Sequence, residues 1–128
     1  MNLPIATLLI CCVLPLVWAW VSSYYRYSQF GGIDNKEPRI QCEKLTGAGA
    51  RAVAAQANAW EALAVYAAAL LAVTASGVSA EQYSYLLWIF IAARVAHGVT
   101  YLINQDIIRS LSFIVGYGIC IYMFVLAL

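Results

Sequence analysis

Four long apolar stretches constrain the fold of this chain more than any other feature. Three of them contain no charged residue, and the fourth contains one arginine and one histidine. They cover residues 3–21, 62–80, 82–103 and 111–128. A helix needs about 20 largely apolar residues to cross a bilayer, and the chain is 64% hydrophobic with only 10% charged residues. The sequence therefore predicts an all-α integral membrane protein, built as a bundle of four transmembrane helices.

Four helices with short connections use nearly the whole chain, so residues 1–128 are expected to form one domain. The predicted helices run over about 3–25, 48–75, 80–103 and 109–128. A tyrosine-rich belt ends the first helix, and Gly31, Gly32 and Pro38 indicate an ordered loop before the second. Residues 1–22 could alternatively be a cleaved signal peptide, but this run is long, lacks a basic start and has bulky tryptophans in the cleavage zone.

Positive charge is concentrated in or beside the first and third predicted connections. The second connection offers only Glu81, and the N-terminal segment has no charged side chain. The basic residues of the two charged connections are Arg26, Lys36, Arg39, Lys44, Arg51 and Arg109. The positive-inside rule then places both termini outside and the first and third connections in the cytoplasm.

Charge and cysteine content argue against several functional classes. The net charge of +1 provides no basic surface for a nucleic acid. The four cysteines, Cys11, Cys12, Cys42 and Cys120, show no metal-ligand spacing. Three of them lie in predicted spans and the fourth in a cytoplasmic connection, so neither a metal site nor a disulfide framework is expected.

The second predicted helix carries three polar side chains on one face. With 3.6 residues per turn, Arg51, Asn58 and Glu61 fall at about 0°, 340° and 280° around the helix axis. Gln56 falls at about 140°, on the opposite side. Lipid would leave the amide of Gln56 unpaired, so this residue predicts a second protein surface, which a homo-oligomer would supply.

The third predicted helix places Arg94, His97 and Tyr101 at spacing i, i+3, i+7, so they also share a face. The two helices run antiparallel, and Glu61 and Arg94 fall at nearly the same depth, about 15 Å from the inner surface. The pattern predicts a graded polar wall that is open to the cytoplasm. It would contain a buried Glu61–Arg94 pair, with arginines that include Arg109 at its mouth.

Each of these residues also has a structural explanation. The Glu61–Arg94 pair could simply fasten two helices together, and His97 could be a satisfied core residue. Tyr101 could belong to an interfacial belt, and Arg109 could anchor a helix end. A functional site is favoured because all of them converge on one half of the bilayer, where ionisable side chains within a span are costly.

Two segments resemble the MAPEG family, the membrane-associated proteins in eicosanoid and glutathione metabolism. They are AQANAWE at residues 55–61 and ARVAHGVTYLINQDIIRS at residues 93–110, and the resemblance covers nearly the whole chain. The second segment is similar to the prostaglandin E synthase branch. The short chain and its IDNKEPR loop are similar to small bacterial members, which implies a bacterial inner membrane.

The resemblance implies a homotrimer with glutathione as co-substrate, bound at each subunit interface and open to the cytoplasm. The glutathione-contacting positions of one subunit are Asn58, Glu61, Arg94, His97, Tyr101 and Arg109. Gln56 falls on a position that serves the neighbouring subunit. Arg51, Arg94 and Arg39 would bind the two glutathione carboxylates through their guanidinium forks. Glu61 would accept the ammonium group.

The implied function is a glutathione-dependent enzyme that acts on a lipophilic small molecule dissolved in the membrane lipids. Arg109, Tyr101 and His97 would be catalytic, with Arg109 stabilising the thiolate. The thiolate would attack an electrophile or reduce a lipid hydroperoxide. Two departures limit the match to leukotriene-forming members: Ala54 stands where they have an arginine, and His97 where they have a tyrosine. The alternatives are a non-catalytic scaffold or lipid-binding protein of the same shape, and, less well supported, a small transporter.

Overall fold

The computed structural model describes residues 2–128, so Met1 of the predicted domain lies outside it. This part of the chain is all-α, with no strand. The helices are α1 (Leu3–Phe30), α2 (Pro38–Glu43), α3 (Gly47–Ala75), α4 (Ser84–Leu102) and α5 (Asp106–Ala127). Within residues 2–128, α1, α3, α4 and α5 are long and apolar enough to cross a membrane. The predicted fold class, a four-span integral membrane protein, is confirmed.

Three helix ends differ from the predicted positions. Helix α1 continues past residue 25 to Phe30, and it stops where Gly31 adopts a left-handed conformation with φ 73° and bonds back to the carbonyl of Tyr27. Helix α4 begins at Ser84, because residues 80–82 form a 3₁₀ turn instead of its first turn. Helix α5 begins at Asp106, whose carboxylate lies in the first turn, where the helix dipole favours negative charge.

The connection between α1 and α3 is held by one buried cation. Arg26, which the charge pattern assigned to the first cytoplasmic connection, is only 6% exposed. Its Nε donates to Oε1 of Gln41 at 2.6 Å, and its Nη2 donates to the carbonyl of Asp34 at 2.7 Å. The backbone amides of Glu37 and Lys36 donate to the carboxylate of Asp34, and these bonds lower the pKa of Asp34 below its usual value of 3.8. The loop is therefore ordered around α2.

The core fixes α3 and α4 against α1. The Tyr66 ring on α3 stacks on Phe90 of α4 with the ring centroids 4.2 Å apart, and its hydroxyl bonds to Thr7 of α1 at 2.7 Å. Nearer the α2 end, α4 passes so close to α1 that a side chain at Gly98 would overlap the indole of Trp18. This packing holds one face of α4 in a fixed position between α3 and α5.

Candidate functional site

Arg94 on α4 lies at the centre of the polar cluster and is only 4% exposed. Its Nη2 donates to Oδ1 of Asn58 on α3 at 2.5 Å and lies 3.5 Å from Nδ1 of His97. Its Nη1 is buried and has no hydrogen-bond partner among the described residues. The partners that the structure gives to this guanidinium group are neutral. Within residues 2–128 the site therefore holds a buried positive charge that no carboxylate contacts directly.

Asn58 connects this buried cation to a carboxylate at the surface of the helix bundle. Its Nδ2 donates to Oε2 of Glu61 at 3.3 Å, and Glu61 itself is exposed. The expected buried ion pair between Glu61 and Arg94 is thus replaced by a relay through Asn58. Asn58 and Glu61 can bond because residues three apart on a helix are neighbours. Of these two side chains, the shorter one, Asn58, contacts Arg94.

Three predicted catalytic residues meet where α4 ends and α5 begins. The rings of His97 and Tyr101 make an edge-to-face contact with their centroids 5.6 Å apart. The guanidinium carbon of Arg109 lies 4.6 Å from the centroid of the Tyr101 ring, a cation–π distance. His97 is buried, whereas Tyr101 and Arg109 are half-buried. The two α4 residues thus share one face, as their spacing predicts, and Arg109 covers it from α5.

A cleft of about 290 Å³ opens beside these residues. It is lined by His97, Arg109, Ser110, Phe113 and Ile114. The first three supply an imidazole, a cation and a hydroxyl, whereas Ile114 is 64% exposed on the apolar surface of α5. A cation beside a thiol lowers the pKa of that thiol. The cleft therefore places one cation beside an apolar wall.

The remaining predicted residues lie at different distances from the cluster. Arg51 fastens α3 to α4, because its Nε donates to the carbonyl of Leu102 at the end of α4 at 3.0 Å. Arg39 lies exposed on α2, and Gln56 is half-buried on α3. Within residues 2–128 neither of these two side chains hydrogen-bonds to the cluster.

Two cleft residues, Ser110 and Phe113, were not among the predicted site residues. Ser110 belongs to the Arg-Ser pair that ends the second family-like segment, so a signal for it was present in the sequence. Phe113 follows Arg109 by four residues, which places both on one face of α5. Its ring centroid lies 6.2 Å from that of His97 and 4.4 Å from that of Tyr117. Only the fold of α5 against α4 brings this aromatic pair to the site.

Comparison with known proteins gives one match. The family model described as "MAPEG family" matches residues 3–128, which is essentially the whole chain. No curated protein and no solved structure matches the chain.

Proposed function

Because the chain belongs to the MAPEG family, which includes glutathione-dependent transferases and peroxidases, we propose that it is a glutathione-dependent membrane enzyme. It activates the glutathione thiol for conjugation to lipophilic electrophiles or for reduction of lipid hydroperoxides. One observation carries this proposal: Arg51, Arg94 and Arg109 lie in the half of the bundle where α3 and α5 begin and α4 ends, and the contacts described for them are to neutral groups. Uncompensated cations near a membrane span call for an anionic ligand.

The charges of glutathione match the charges of the cluster. The molecule carries two carboxylates, one ammonium group and a thiol. Arg94 and Arg51 supply cations for the carboxylates, and the exposed carboxylate of Glu61 suits the ammonium group. Arg39 on the α2 loop remains a predicted third cation, which would have to reach the ligand from the loop.

The thiol would lie in the cleft, where the guanidinium group of Arg109 stabilises the thiolate and Ser110 donates a hydrogen bond to it. His97 and Tyr101 would hold Arg109 and the ligand in place. In conjugation, the sulfur forms a bond to the electrophilic carbon, and the leaving group departs with its electron pair. In peroxide reduction, the thiolate attacks one peroxide oxygen and the O–O bond breaks. The alkoxide then takes a proton, and a second glutathione converts the sulfenic acid to disulfide and water.

The surface of α3 supports assembly into the predicted homotrimer. Glu61 is exposed in the middle of this helix, where lipid would leave a carboxylate without partners. The same face exposes the small side chains Ala57, Ala64 and Ala68. Small residues let membrane helices approach closely. A neighbouring subunit packed there would place each site between two subunits, on the cytoplasmic side. Gln56 lies on the opposite side of α3 and would face the other neighbour in the trimer.

The test is the ultraviolet absorbance of the thiolate when glutathione is mixed with detergent-purified protein at neutral pH. We expect a saturable signal that Arg109→Ala abolishes and that Lys36→Ala retains. Lys36→Ala removes the same charge from the exposed loop. Arg39→Ala, measured in parallel, shows whether the loop arginine contributes to glutathione affinity. A folded oligomer without any thiolate signal would refute the proposal and favour a non-catalytic scaffold.

A further inference from the structure

A large cavity lies far from the polar cluster. It has a volume of about 670 Å³ and separates the start of α1 from the end of α3. Its lining includes Ile5, Leu8, Ala67, Leu70, Leu71 and Tyr83; we call it the α1–α3 cavity. Leu71 is ten residues from Glu61, which is about 15 Å along a helix towards the opposite end of the bundle. The cavity therefore cannot be part of the cleft beside Arg109.

The size and lining of the α1–α3 cavity suit an apolar ligand. Ligand sites commonly measure about 300–1,000 Å³ and are lined mainly by apolar side chains. No charged residue lines this cavity. Two of its hydroxyls are already bonded within their own helices: Thr74 donates to the carbonyl of Leu70 at 2.8 Å, and Ser84 donates to that of Ala80 at 2.5 Å. Apolar cavities of this kind do not retain water.

Two polar side chains of the lining, Asn2 and Tyr83, can still form hydrogen bonds. Oδ1 of Asn2 accepts from the backbone amide of Ile5 at 3.4 Å, and its amide nitrogen donates to no described residue. The hydroxyl of Tyr83 makes no hydrogen bond to a described residue. A pure hydrocarbon would offer this hydroxyl nothing, whereas an ester carbonyl of a glycerolipid would accept its hydrogen bond. The combination of mainly apolar walls, two neutral donors and no charged residue is therefore suited to the acyl chain and ester of a lipid.

The position of the cavity indicates that the surrounding membrane would supply the acyl chain. The protein is a multi-pass membrane protein, and the rim residues Ile5 and Leu71 are 64% and 68% exposed on spanning helices. A second copy of the chain has a different candidate surface in the exposed alanines of α3, where small residues let membrane helices approach closely. We propose that the α1–α3 cavity binds an acyl chain of one membrane phospholipid per subunit, independently of the headgroup charge.

Native mass spectrometry of the detergent-purified protein tests this proposal. The probes are phosphatidylglycerol and phosphatidylcholine with identical palmitoyl and oleoyl chains. We expect both to bind at one molecule per subunit. Ala67→Phe fills the cavity and should abolish binding, whereas Ala92→Phe adds the same bulk to an exposed position on α4 and should retain it. Tyr83→Phe should weaken binding about two- to tenfold, the usual value of one hydrogen bond.

Three results would overturn the inference. Ala67→Phe could retain the full lipid count, or only the anionic phosphatidylglycerol could bind, which would indicate a basic surface elsewhere. Alternatively, Ala67→Phe could break the oligomer while the lipid count per subunit stays unchanged, which would show that a second copy fills the space. If Ala67→Phe does not assemble, Tyr83→Phe decides, since it adds no bulk, and an unchanged affinity would then refute the site. This inference does not depend on the proposed thiol chemistry, because neither variant touches the polar cluster.

Discussion

Gly98 lies where α4 contacts α1, and its replacement by alanine tests the packing that positions the site. A β-carbon at this position would lie 2.0 Å from Cζ2 and 2.4 Å from Cε2 of the Trp18 indole, whereas ordinary contact begins at 3.4 Å. The indole is 7% exposed and belongs to a buried cluster with Ala55 and Ala59. Because the ring is rigid and enclosed, it cannot retreat without shifting a helix.

The expected cost follows from two opposing effects. Overpacking a well-packed core costs about 1–3 kcal/mol. Alanine stabilises a helix interior relative to glycine by about 0.5–1 kcal/mol. Since the overlap with Trp18 is severe, we expect Gly98→Ala to lower the free energy of unfolding by about 2 kcal/mol net. For a chain of this length that corresponds to a fall of about 4–10 °C in Tm.

Thermal unfolding in one fixed detergent, followed by circular dichroism, measures this change. Gly118→Ala on α5 is the matched control, because a β-carbon there meets nothing within 4 Å and should leave Tm unchanged or slightly higher. Trp18→Phe removes the fused ring that carries the two clashing atoms. The double variant should therefore be less destabilised than the two single changes together predict.

The reasoning fails if Gly98→Ala melts at the same temperature as Gly118→Ala. It also fails if the cost of Gly98→Ala is undiminished in the Trp18→Phe background, because the overlap would then not involve the indole. Gly98 follows His97 directly, so the same shift of α4 should also reduce the thiolate signal.

Three further predictions concern single hydrogen-bonding residues. Asn58→Ala removes the acceptor that holds Arg94 and should raise the Kd for glutathione about 10- to 100-fold, as for bonds to charged groups; an unchanged Kd in a thiolate titration would exclude this role. Arg51→Lys keeps the charge but removes the Nε donor to the carbonyl of Leu102, so amide hydrogen exchange in the last turn of α4 should accelerate while the rest of the helix is unaffected. The ionised carboxylate of Asp34 stabilises the α2 loop through its hydrogen bonds, which is why its pKa is lowered. This stabilisation is fully present above pH 3.8 and is lost as the pH falls through the folded-state pKa. Limited proteolysis should therefore cleave the wild-type loop faster in acid, whereas Asp34→Asn should be cleaved readily at neutral pH and show little acid dependence.

The four spans could be predicted from the sequence because each is a long apolar run, whose helical state the bilayer imposes. Helix ends depend on local turn chemistry, and three of the predicted ends differ from those in the structure. The tyrosines after residue 23 suggested the end of the first helix, yet the chain stays helical until Gly31 allows a left-handed turn. The burial of Arg26 was not predictable, because it depends on Gln41 folding back from α2.

The candidate site shows the same division between periodicity and tertiary contact. Helical spacing correctly grouped Arg94, His97 and Tyr101 on one face of α4. Comparing how deep the polar residues lie in the two helices correctly predicted a polar contact between α3 and α4. Spacing could not tell whether Glu61 or Asn58 meets the buried guanidinium group, since both lie on the same stripe one turn apart. That choice depends on side-chain length and on the exact separation of two helices, which no pattern in one sequence encodes.

The hydrogen-bond relay from Arg94 through Asn58 ends at Glu61, a carboxylate that the proposed trimer or the proposed ligand would contact. Arg94 is buried, Asn58 hydrogen-bonds to both Arg94 and Glu61, and Glu61 lies exposed at the middle of α3. A charge facing lipid at this depth costs about 2.5–3.5 kcal/mol on insertion scales, and a neighbouring subunit of the proposed trimer or the ammonium group of the proposed ligand would offset this cost at Glu61. If both do so at one interface, ligand binding and assembly stabilise the same contact. By linkage, a ligand that binds only the assembled form must then shift the equilibrium towards assembly.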